Sequence, residues 1–263
     1  MFDLRAAGEW APHQVVVTWS PSSRRIVPEV ERAIDEAWAA ATQRLGDKLF
    51  DGPMCRLEKW SASAARLELA LSRTSYRAFL GTNLFNAHLA HAHGPEVLAN
   101  PVGLSTALET SDDYLLLGRR NDSVAYYPNR VHPFAGALEP RDPMDVFNEI
   151  SRELHEELSL GVADVPRLTC VGLVEDRSLR QPELIFSAAA VQSRAQLESM
   201  LDRTEHHSVY ALRATREEID RALRDDALTP VAQASLALWA RAQFGTDWFN
   251  ARARDDGNAS KST

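Results

Sequence analysis

The chain has 263 residues, 44% hydrophobic and 25% charged, an ordinary balance for a soluble globular protein and enough for one large domain or a domain with an extension. Its formal net charge of -8 argues against a broad basic surface for nucleic acid. Cys55 and Cys170 supply neither a disulfide framework nor metal-type spacing. The N-terminus lacks a signal-peptide apolar core and no segment is long and apolar enough to span a membrane, so a cytoplasmic protein is the expectation.

Val15-Val16-Val17-Thr18-Trp19 predicts a strand, stopped by Ser20-Pro21. Pro28 opens a helix whose stripe is Val30, Ile34, Ala37, Trp38, Ala41 and Leu45, with Gly46 suited to its end. Cys55–Trp60 and Arg66–Ser72 predict two further strands, the second from the alternation of Leu67, Leu69 and Leu71. Together these make a small α+β N-terminal subdomain, residues 1–95. His88, His91 and His93 raise the question of a transition-metal site. His91 and His93 are two apart and cannot share a helical face, so a surface helix end is the stronger reading.

Tyr114–Arg120 predicts a buried strand ending in two arginines. Arg119 or Arg120 suits a phosphate, because a guanidinium makes paired hydrogen bonds to its oxygens; a surface ion pair is the competing reading. Val124–Tyr127 and Val131–Phe134 predict a hairpin leading to Gly136. Phe147, Ile150, Leu154 and Leu158 then recur at spacings of three and four and share one helix face. Glu149, Glu153 and Glu156 fall on the opposite face, with Glu157 at its edge. Like charges at that spacing repel unless a cation sits among them, and a hard divalent ion with oxygen ligands is the natural one.

Leu168–Glu175 and Glu183–Val191 predict strands joined by the polar link Asp176–Pro182; Arg177, Arg180 and Glu183 are candidates to line a cleft, with solvated loop residues as the stronger reading. Ser193–Leu201 predicts a short helix, Ser208–Arg213 a strand, Thr215 a capped helix, and Thr229-Pro230 a last helix ending at Gly245. Residues 96–251 form the main domain, and 252–263 read as a disordered tail.

The order Arg152-Glu153-Leu154-His155-Glu156-Glu157 resembles the core of the Nudix box at every fixed position. Gly136 stands sixteen positions before Arg152 where the pattern has fourteen, which implies a two-residue insertion. Met144 fills the upstream glutamate slot, with Glu139, Asp142 and Asp145 as open substitutes, and Ser159 fills the late glycine slot. Three further strings resemble the UDP-glucose and UDP-galactose pyrophosphatase branch, the type-twenty-two family. These are Leu49-Phe50-Asp51-Gly52-Pro53 with Arg56-Leu57, then Thr74-Ser75-Tyr76-Arg77-Ala78-Phe79-Leu80-Gly81-Thr82-Asn83, then Asn100-Pro101-Val102-Gly103 continuing to Ser111-Asp112-Asp113-Tyr114.

The resemblance implies an α/β fold: a Nudix α/β/α sandwich with a mixed sheet, preceded by the N-terminal subdomain, which contributes to the substrate site. It implies hydrolysis of UDP-glucose or UDP-galactose to UMP and a sugar 1-phosphate, dependent on Mg²⁺ with Mn²⁺ as an alternative. Glu153, Glu156 and Glu157, with the Ala135 carbonyl, are the implied metal ligands, and Arg152 orients a glutamate. Glu205 is the implied base, with His206 and His207 as alternatives. Tyr76, Arg77, Asn83, Arg119 and Arg120 are the candidate substrate contacts. ADP-ribose hydrolysis, or a catalytically inactive ligand-binding regulator on the same fold, are the rival readings.

Overall fold

The structure, a computed structural model, describes residues 1–259, with side chains through Arg252 except Lys48. In chain order the strands are β1 (Phe2–Trp10), β2 (Val15–Trp19), β3 (Pro53–Ala62), β4 (Leu67–Ser75), β5 (Gly103–Glu109), β6 (Tyr114–Arg120), β7 (Val131–His132), β8 (Phe134–Ala137), β9 (Arg167–Asp176), β10 (Gln181–Ala189) and β11 (His206–Arg213). The helices are α1 (Pro28–Leu45), α2 (Tyr76–Phe79), α3 (Leu89–His93), α4 (Val146–Leu158), α5 (Arg194–Met200), α6 (Arg216–Ala222), α7 (Pro230–Phe244) and α8 (Thr246–Ala259).

Eight strands form one mixed sheet, β1-β9-β10-β5-β6-β11, with β7 beside β6 and β8 beside β5. Only β10 and β5 run parallel; the other neighbours are antiparallel. Side chains alternate across a strand, so Leu184 and Ile185 enter different cores. Leu184 joins Leu104, Phe147, Ile150 and Phe186 under α4. Ile185 joins Val171, Val174, Ala234 and Leu238 under α7. The result is an α/β/α sandwich.

The apolar stripe of α4 is buried as its period predicts. Asp145 caps the helix, accepting from the N–H groups of Phe147 at 2.9 Å and Asn148 at 3.3 Å. At the other end Ser159 takes left-handed backbone angles, φ 55° and ψ 25°, the conformation for which a glycine normally stands there.

Three expectations need correction. Residues 2–10 do not belong to an N-terminal unit: β1 is the edge strand of the large sheet, paired with β9. The small sheet, β2-β4-β3, also shares its core with α4, through Leu67, Leu69 and Leu71 packed with Leu104 and Phe147. Backbone bonds from Cys55 N–H to Leu138 O and from Val102 N–H to Cys55 O, both 2.8 Å, join β3 to the main sheet's loops. Second, Val124–Tyr127 is not a hairpin strand. Tyr127 and Asn129 have positive φ, which breaks an extended run, and the Tyr127 hydroxyl is held by Asp176 at 2.8 Å. Third, the expected disordered tail is entered by α8, whose Arg252 pairs with Asp220; residues 260–263 lie outside the described residues. Among the described residues no helix is long and apolar enough to cross a membrane.

Candidate active site

A cleft of about 520 Å³ opens beside β8, within the size range of small-molecule sites. The box helix contributes Arg152, Glu153 and Glu156, and the loop before β11 contributes Thr204 and Glu205. The sheet contributes Gly103, Arg120, Gln181 and Glu183. Met54, Tyr76 and Phe79 close it from the small-sheet side, and Tyr126 from the loop after β6. A smaller adjoining recess brings Glu157 together with Glu153, Glu156 and Glu205.

The box glutamates are less solvated than a charged helix face would be. Glu149 and Glu157 are buried, 4% and 8% exposed, although both lie off the apolar stripe of α4. Glu157 is held by the Ala135 N–H, which donates to its Oε2 at 3.1 Å. Its Oε1 has no hydrogen-bond partner and lies 3.3 Å from His206 Nδ1. Burial, then the charge of Glu205, pushes the Glu157 carboxyl well above its ordinary range. Burial also pushes Glu153 up to about 7, aided by repulsion from Glu156, Glu157 and Glu205 and opposed by Arg152. Gly136 makes room for this group, since a Cβ there would collide with the Glu153 carboxylate.

Arg152 gathers the acids, reaching Glu153 at 2.5 Å, Glu156 at 2.6 Å and Glu149 at 3.3 Å. Arg141 adds a second contact to Glu149 at 2.5 Å and one to Glu139 at 3.2 Å. Of the three substitutes for the missing upstream glutamate, Asp145 is committed to capping α4, whereas Glu139 lines the cleft. Among the described residues no three His, Cys, Asp or Glu side chains already form a metal-holding cluster. The donor set nevertheless suits a hard cation. It offers a partnerless buried carboxylate oxygen and a second carboxyl of raised pKa, and Mg²⁺ needs only one or two carboxylates beside phosphate and water.

The candidate substrate residues separate. Arg120 is 6% exposed, lines the cleft, stacks over Tyr126 at 4.8 Å and has a partnerless Nε; among the described residues it pairs with no carboxylate. Arg119 does not line the cleft, and its nearest polar partner is the Asn129 carbonyl at 3.4 Å. Tyr76 lines the cleft. Arg77 does not: its guanidinium pairs with Asp35 of α1, and its N–H donates to Asp51. Asn83 is fully buried, donating to the carbonyls of Leu179 at 3.0 Å and Arg180 at 3.1 Å and accepting from Asn100 N–H at 3.0 Å, so it staples loops and does not face a ligand.

His206 is buried and kept neutral, its pKa lowered to about 4 by burial and by Arg120; His207 is exposed. Arg177 and Arg180 pair with Asp3 and Glu175 at the surface. Glu183, the first residue of its predicted strand and read as solvated in preference to lining a cleft, is 6% exposed on β10 and lines the cleft. The histidine-rich stretch is the short helix α3, with His93 facing Glu29 at 3.2 Å.

The sandwich and the Arg-Glu-x-x-Glu-Glu helix at the edge of its sheet define a protein of Nudix architecture. The chain is 30% identical over 209 residues to the human uridine diphosphate glucose pyrophosphatase NUDT22, covering 66% of this chain and 68% of that protein. It belongs to the Nudix family, in the branch of that relative. The mouse protein of the same name is 35% identical over 147 residues, which are 51% of this chain and 47% of its own length, so the match spans about half of that relative. A mutT/nudix family protein from Listeria innocua superposes with a TM-score of 0.43 at 17% identity, over 55% of this chain and 94% of that one. No protein-family model matches the chain.

Proposed function

We propose that the chain hydrolyses the diphosphate of a UDP-sugar, UDP-glucose or UDP-galactose, to UMP and a sugar 1-phosphate, in the cleft beside β8. The observation that carries this is the meeting of Glu153 and Glu156 in one cleft, and Glu157 in its adjoining recess, with Arg120, a buried guanidinium that among the described residues pairs with no carboxylate. The identity of the substrate is supported by the printed activity of the relatives.

Glu153, Glu156 and Glu157, with the Ala135 carbonyl, would hold a divalent ion, Mg²⁺ in first place and Mn²⁺ as an alternative. Such an ion, when bound, neutralises charge on the diphosphate and acidifies a water. Arg152 fixes the rotamers of Glu153 and Glu156, a positioning role. Arg120 meets a phosphate, for which its planar donors are suited. Glu205, exposed at the cleft mouth, takes the proton of the attacking water. His206 is too buried for that role, and its partner is Glu157. Met54, Tyr76 and Phe79 bring the small-sheet region into the substrate site.

Product analysis by mass spectrometry tests this, with UDP-glucose and ADP-ribose each incubated with Mg²⁺ and with EDTA. UMP and glucose 1-phosphate formed only with metal and only from UDP-glucose is the expected result. Cleavage of ADP-ribose alone would retain the metal chemistry and overturn the uridine assignment.

A further inference from the structure

One acidic side chain in the cleft belongs to no part of the hydrolytic machinery. Glu183 is opposite Gly103 in the parallel pairing of β10 with β5, and Gly103 is opposite Ala137 in the pairing of β5 with β8. Glu183 therefore stands two strand spacings, roughly 10 Å, from β8. The next row on the same face is Ser105 and Ala135, and Ala135 holds Glu157 through its N–H. Glu183 thus lines the cleft two strands away from β8, whose Ala135 holds Glu157 in the adjoining recess.

The position has been built around this side chain. Ser105 donates its hydroxyl to Glu183 Oε1, and a Cβ on Gly103 would collide with the carboxylate, so only glycine leaves it space. No basic side chain pairs with it among the described residues, although it is 6% exposed. Gln181, two residues earlier on the same strand face, lines the cleft beside it. Above this floor stand aromatic rings: Tyr76 and Phe79 at 6.2 Å between centroids, then Phe79 and Tyr126 at 6.1 Å edge to face.

A carboxyl and a carboxamide side by side offer both donors and acceptors, and the aromatic rings offer apolar faces and edges for a planar group to pack against. That combination suits the edge of a planar ring presenting N–H and C=O groups together, as a pyrimidine imide does. We propose that Glu183, with Gln181, reads the nucleobase edge and sets uridine selectivity. This rests on the UDP-sugar reading above and adds where, and by which groups, the base is recognised.

Calorimetric titration of UMP and AMP in EDTA tests this without turnover. Wild-type protein is expected to bind UMP more tightly than AMP. Glu183→Leu is expected to weaken UMP binding roughly ten- to hundredfold while AMP binding stays within about twofold. Glu183→Gln, which keeps a donor and an acceptor, is expected to retain most of the affinity, and it serves where the leucine variant folds poorly. UMP bound equally by wild type and Glu183→Leu would overturn the proposal, as would equal losses for UMP and AMP. A loss confined to glucose 1-phosphate would overturn it too, by giving Glu183 to the sugar. Wild-type protein that prefers AMP would instead overturn the uridine reading itself.

Discussion

Glu157 and His206 meet inside the protein, Oε1 of one 3.3 Å from Nδ1 of the other, with both side chains almost wholly withdrawn from solvent. The imidazole is neutral there, so it supplies no countercharge. Among the described residues an ionised Glu157 is steadied by one hydrogen bond, from the Ala135 N–H, and by the charge of Arg120, which do not offset its burial. A cation at the mouth of this recess would relieve a cost built into the fold.

Glu157→Gln keeps the volume of the side chain and removes its charge. Turnover of UDP-glucose is expected to fall by orders of magnitude while the circular dichroism spectrum and melting temperature hold or rise. Wild-type-like turnover would remove Glu157 from the metal-holding role.

Divalent metal should stabilise the folded chain by mass action. Adding Mg²⁺ in large excess over its dissociation constant is expected to raise the melting temperature by several degrees, about 2.7 kcal/mol at a hundredfold excess. Glu153→Gln and Glu157→Gln should abolish the increment in a thermal melt run with Mg²⁺ and with EDTA.

Among the described residues Arg120 is a cation of the cleft that pairs with no carboxylate. Arg120→Ala should reduce kcat/KM by about a hundredfold, and Arg120→Lys should recover little, since a point charge does not reproduce the paired donors. The same changes at Arg119, outside the cleft, should stay within about threefold. Steady-state kinetics on the four variants decides between the two arginines.

Ser159 occupies a left-handed position that costs an L-residue about 1 kcal/mol. Ser159→Gly should therefore stabilise the protein by about that much in a denaturant titration, with little change in activity. A destabilised variant would mean that the serine side chain does more than tolerate its backbone.

Stability should fall on both sides of a middle pH. His206 is lowered to about 4 and His132 well below its usual 6.5, both chiefly by burial. The unfolded chain binds these protons first, so their contribution is complete above pH 6.5 and is lost as pH falls toward 4. Glu183 is raised to about 8, chiefly by burial. The unfolded carboxyl ionises near 4.5, so stability declines as pH rises from there through 8. Melting curves from pH 4 to 9 in EDTA should show both limbs, and Glu183→Gln should reduce the alkaline one, to which the raised Glu153 and Glu157 also contribute.

The helix carrying the box is readable from sequence because its apolar stripe has a period of 3.6 and its acids follow a fixed order. The strands around it are readable from alternation and from turn residues. Burial of the acids is not, because the closure over Glu149 and Glu157 comes from Arg141, β8 and His206, which are distant in the chain or outside the helical pattern. The string Thr74–Asn83 points equally at Tyr76, Arg77 and Asn83. Only three-dimensional packing turns one toward the cleft, one toward Asp35 and one into a staple between loops. For Glu183 the two sequence readings, cleft and solvent, are separated only by packing: its neighbours Arg177 and Arg180 make the strand end look solvated, while its register with Gly103 seals it in.

The paired backbone bonds of Cys55 give the small sheet a further meaning. Leu138, which receives one of them, precedes Glu139 at the cleft rim, and Met54, just before Cys55, is itself part of the wall. A change at Met54 therefore acts on the rim directly, whereas one at Cys55 or Leu69 also reaches the acidic helix through the shared core. Ligand preference and bond-breaking chemistry have separate handles in this chain, and the first can drift through descent while the second stays put.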